Sequence, residues 1–155
     1  QFFRSVCTES GIDSKSARGK SNIFKLLLDG KKQEVLVIAD GAAFGSQMER
    51  IMDLVAIQPN FHVYLPESFE WLILQSGLLE DGEINDILES PEKYVDSLQY
   101  FSWERFFTAL LTQRTSNSYL SYTKSKLNPV YLQEQEKDAI LSVIPKVQFK
   151  NEENL

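Results

Sequence analysis

Asp40 and Glu67 are the carboxylates best placed to do chemistry in this sequence. Asp40 ends the apolar run Val35-Leu36-Val37-Ile38-Ala39, and Glu67 follows a second run, Phe61-His62-Val63-Tyr64-Leu65, closed by Pro66. Carboxylates at the ends of neighbouring strands meet where open α/β sheets hold their ligands. Such oxygens suit Mg²⁺, which takes one or two protein carboxylates and can assist phosphodiester chemistry. Asp40 equally suits a turn, with Gly41 and Gly45 supplying positive φ behind it. Glu67 and Glu70 better suit the first turn of a helix, where negative charge complements the dipole.

Two basic groupings offer a different chemistry. Arg18-Gly19-Lys20-Ser21 is similar to the end of a P-loop, but that spacing needs glycine at position 14, where Ser14 stands. A basic loop ahead of a helix can still meet an anion, and a solvated loop is the default reading. Tyr119, Tyr122, Lys124, Lys126 and Tyr131 interleave aromatic and basic residues, a composition that stacks on and neutralises single-stranded nucleic acid. Surface tyrosines packed on a small helical part explain it equally well. His62 is the sole histidine, which argues against a zinc cluster or a histidine-based triad. Cys7 has no activating neighbour in sequence and reads as a buried apolar residue.

The elements that must position these residues follow from period and punctuation. Residues 1–10 read as a helix stopped by Gly11, and 12–17 as an edge strand or loop. Ser21 is placed to cap a helix burying Ile23, Phe24, Leu27 and Leu28 up to Gly30. Residues 35–39 form a buried central strand. Ser46 with Glu49 makes a capping box for a helix that carries Met48, Ile51, Met52, Val55 and Ala56. A strand over 61–65 completes a helix–strand–helix–strand order, which favours a parallel sheet. A helix over 68–76 bears Phe69, Leu72 and Ile73 and stops at Gly77. Ser90-Pro91 reads as a helix start, Trp103, Phe106, Phe107, Leu110 and Leu111 as a core stripe, and Leu132 to Ile144 as the last helix.

The predicted fold is therefore three-layer α/β, with a short, mainly parallel sheet (toprim-like or Rossmann-like) and a mostly helical C-terminal part. Residues 1–145 are expected to form a single domain, with 1–66 supplying the sheet, 67–145 packed on it as helices, and 146–155 a loose tail. The 155 residues carry a formal charge of −6, which opposes non-specific wrapping by nucleic acid. One cysteine excludes an internal disulfide and fits a reducing compartment. No apolar run approaches a membrane span, so a cytoplasmic protein without membrane contact is expected. Gln1 opens inside a helical pattern, so a segment upstream is expected too.

Two resemblances add to this. Val35 to Gly45 resembles the conserved strand and loop of the toprim fold, whose members hold Mg²⁺ with an Asp-x-Asp pair and an upstream glutamate. Asp40 matches the first aspartate, Ala42 stands at the second, and the glutamate would precede Gln1. More broadly, Gln1 to Cys7, Gly19 to Ile23, Ile38 to Gly45, Leu65 to Leu74 and Tyr100 to Leu111 resemble the C-terminal half of a clostridial P-loop-containing family. Some members of that family are labelled as a translation initiation factor. This resemblance implies an upstream P-loop domain as partner on the same polypeptide.

Together these readings lead to a non-catalytic or regulatory C-terminal module of a P-loop ATPase-type bacterial protein, with a degenerate toprim-like site. Asp40 and Glu67 are its candidate metal ligands, with Mg²⁺ the cofactor they would take. Arg18, Lys20, Lys124 and Lys126 are its candidate anion- or nucleic-acid-binding residues. The alternatives are a Mg²⁺-dependent toprim-type phosphodiester enzyme completed by the upstream segment, and a nucleic-acid-binding module.

Overall fold

A computed structural model describes residues 1–30, 33–40, 47–95 and 102–145. The chain mixes helix and strand and divides into two compact units, one of residues 1–15 with 67–143, the other of 16–66 with 144–155. Among the described residues no helix is long and apolar enough to cross a membrane. The expected loose tail over 146–155 lies outside the described residues.

The unit of 16–66 holds the sheet. A 3₁₀ turn, Lys20–Asn22, leads into α2, Ile23–Asp29, and β1, Val35–Ile38, follows. Helix α3, Met48–Ile57, then precedes β2, Phe61–Tyr64. The two strands pair in parallel, with Val35 opposite Phe61 and Ile38 opposite Tyr64. Their core is Ile23, Leu27, Ile51, Leu54 and Phe61, with Val35, Val37, Val55 and Val63 packed against it. The parallel order agrees with the sequence, but β1 is half-buried rather than a buried central strand. Among the described residues each strand has a single neighbour, so one side of each ladder is unpaired.

Helix phases also differ from expectation. Leu54 points inward while Met52 is 48% exposed, because the stripe Ile51, Leu54 and Val55 faces the strands and Met52 and Ala56 turn away. Leu28 is exposed for the same reason. Ser21 lies inside the 3₁₀ turn and makes no cap; Asn22 occupies the N-cap position of α2 without a side-chain bond. Residues 12–17 are a loop without a ladder partner. Ser46 and its capping box, like Gly41 to Gly45, lie outside the described residues.

The other unit is helical. It contains α1, Phe2–Glu9, α4, Phe69–Gln75, and α5, Gly82–Glu89. Two longer helices complete it, α6, Trp103–Thr115, and α7, Glu134–Val143. Helix α4 packs against α6 and α7. Helix α1 joins them through its aromatic end: Phe2 lies 5.2 Å from Phe69 and Phe3 6.2 Å from it, centroid to centroid. At its other end Glu9 pairs with Lys137 of α7 at 2.6 Å.

Punctuation fixes these helices as the sequence implies. Gly11 and Gly77 follow α1 and α4 with φ of 68° and 76°, conformations a side chain would strain. The Ser68 and Ser102 hydroxyls accept from the backbone N–H of Trp71 and Arg105 at 3.1 and 3.3 Å, capping α4 and α6. Ser90-Pro91 starts only a 3₁₀ turn, Pro91–Lys93, with no side-chain cap. The helix the pattern missed is α5, capped by Asp81, whose Oδ1 accepts from Glu83 N at 3.0 Å. Trp103 is 43% exposed and not core: as the first residue of α6 it overhangs the stripe continued by Phe106 and Phe107. Cys7 is half-buried rather than buried.

Candidate functional site

Asp40 stands two residues beyond β1 and is half-buried. Ala39 N donates to Tyr64 O at 3.2 Å, which carries the parallel ladder up to its position. Its place at the carboxyl end of a parallel strand is therefore the expected one. Glu67 is exposed, one residue before the Ser68 cap of α4, and belongs to the helical unit. Among the described residues no group of three or more His, Cys, Asp or Glu is arranged to hold a metal ion.

Arg18 and Lys20 are both exposed. Arg18 sits at φ 53°, an uncommon conformation for a side-chain-bearing residue, and its N–H donates to Ser16 Oγ at 3.3 Å. Asn22 Nδ2 closes the same loop on Ala17 O at 3.0 Å. The side chains of Ser16 and Asn22 thus hold the loop's own backbone.

The aromatic–basic segment resolves into buried and exposed halves. Tyr122 and Tyr131 are 6% and 0% exposed, so their rings are core and not stacking platforms. Tyr119 remains outside, 64% exposed. Lys124 forms an ion pair with Glu104, and Lys126 is exposed on a turn where Thr123 Oγ1 donates to its carbonyl at 3.1 Å.

The polar centre that sequence reasoning missed is Glu70. It lies on α4 and is 4% exposed. Its Oε1 accepts from Tyr122 OH at 2.7 Å and lies 3.1 Å from Thr108 Oγ1. The Thr108 hydroxyl is also 2.8 Å from Glu104 O, so its one proton serves two acceptors and Tyr122 is the committed donor. Burial first, and the Glu70 hydrogen bond second, hold the Tyr122 phenol protonated far above its usual range. A phenol so held donates a hydrogen bond; it is no base or nucleophile at neutral pH. The spacing contained a signal: Glu70 precedes Ile73 and Leu74 by three and four positions, which places it on the buried stripe of α4.

Around this centre an irregular segment is held by side chains. Thr115 Oγ1 donates to Leu111 O at 2.8 Å and accepts from Tyr122 N at 3.0 Å. Asn128 Nδ2 reaches both Tyr119 O and Ser121 O at 3.0 Å, while its Oδ1 accepts from Val130 N at 3.1 Å. The Tyr131 hydroxyl donates to Leu120 O. Beside this segment Phe2, Phe3, Phe69, Tyr122, Lys124 and Leu127 line a cleft of about 180 Å³. Elsewhere Arg114 of α6 forks between Asp81 and Glu83 at the start of α5. Among the described residues no buried side-chain nitrogen or oxygen lacks a partner.

No protein-family model, curated protein or solved structure matches this chain.

Proposed function

We propose that this chain is a non-catalytic, regulatory α/β module that works beside a P-loop ATPase domain on the same polypeptide. The observation that supports this reading is how Glu70 is used. Glu70, a buried carboxylate of the helical unit, is held by Tyr122 as its committed donor, with the Thr108 hydroxyl beside it, both of them neutral groups. Several other charges are paired within the chain: Arg114 is divided between Asp81 and Glu83, Lys124 meets Glu104, and Lys137 meets Glu9. Groups committed to one another in this way fix a shape; an acid–base site needs a group free to exchange its proton with a substrate. The finer architecture, a three-layer toprim-like or Rossmann-like sheet, and the upstream ATPase partner are part of this proposal and rest on the resemblances. The test is ATP turnover by the full polypeptide with residues 1–155 intact and deleted. A several-fold change in turnover, with no nicking of plasmid DNA by either form, is the expected result. Unchanged turnover would overturn the reading.

A second reading, a Mg²⁺-dependent phosphodiester enzyme of toprim type, draws on the position of Asp40 at the carboxyl end of β1. It predicts nicking by the full polypeptide that is abolished in Asp40→Asn. Nicking that persists in that variant would exclude Asp40 as its ligand. The nucleic-acid-binding reading is less favoured, because burial of Tyr122 and Tyr131 leaves Tyr119 as the exposed ring of that segment's three tyrosines.

A further inference from the structure

We draw no further inference here: the strongest candidate, the cleft between the start of α1 and residues 122–127, is a recess lined by Gln1, Thr123 and Lys124 as well as by aromatic rings, and nothing in the structure shows what would occupy it.

Discussion

Tyr122 donates its phenolic proton to the buried Oε1 of Glu70 at 2.7 Å, joining residues 52 positions apart in the chain. The bond ties α4 to the irregular segment after α6, and its removal leaves a buried carboxylate short of a donor. Hydrogen bonds to charged groups contribute about 1.5–3 kcal/mol. Tyr122→Phe should therefore destabilise the protein by about 2 kcal/mol, read as a lower urea midpoint. Glu70→Gln should cost less, because its amide oxygen can still accept. A double-mutant cycle should give a coupling energy above about 1 kcal/mol. Strictly additive effects would mean the two side chains do not interact.

Two buried phenols set an alkaline limit. Burial raises the Tyr122 and Tyr131 phenols above the ordinary value of 10.0, with the Glu70 bond adding to the effect at Tyr122. The unfolded chain loses these protons near that value while the folded chain keeps them. Their stabilising contribution is thus whole below about pH 10 and declines above it, by about 1.4 kcal/mol per pH unit for each tyrosine. Urea midpoints measured from about pH 8 to about pH 11 should fall steeply at the upper end. Tyr122→Phe should flatten that fall by one proton's worth.

Much of this architecture can be read from the sequence, for physical reasons. Gly11, Gly77 and Ser68 mark helix ends because only particular residues tolerate or satisfy those backbone positions. The apolar runs at 35–38 and 61–64 form a parallel pair because a helical pattern separates them. What escaped the reading depends on partners distant in the chain. Glu70 resembles any first-turn acid until Tyr122 and Thr108 are seen to meet it. The tyrosines resemble a stacking platform until Thr115 and Leu120 draw Tyr122 and Tyr131 inward. Met52 and Leu54 are both apolar, and only the position of the strands decides which one is covered.

Asp81 has two roles, as cap of α5 and as partner of Arg114, whereas Glu83 has only the ion pair. Loss of a cap costs about 1 kcal/mol, and an exposed ion pair contributes less than that. Asp81→Ala should accordingly destabilise more than Glu83→Ala. In high salt the Glu83→Ala effect should shrink towards zero while the cap part of the Asp81→Ala effect persists. Thermal unfolding at low and high ionic strength separates the two.

Asn128 makes three side-chain hydrogen bonds that shape residues 119–130. Asn128→Ala should cost about 2 kcal/mol, at about 1 kcal/mol for each bond less what water restores. Limited proteolysis should show faster cleavage within 116–128 than in the parent protein. Unchanged protection would contradict the account of that segment.

Residual nucleic-acid affinity, if carried by Lys124 and Lys126, is electrostatic and falls with salt. The proposed module predicts no measurable binding for the parent at physiological salt, read by fluorescence anisotropy.

The most direct measurement is calorimetric titration of Mg²⁺ and Mn²⁺ into this protein and its Asp40→Ala variant. A non-catalytic module predicts the same weak, non-stoichiometric heats for both. Tight binding at one ion per chain, lost in Asp40→Ala, would contradict it.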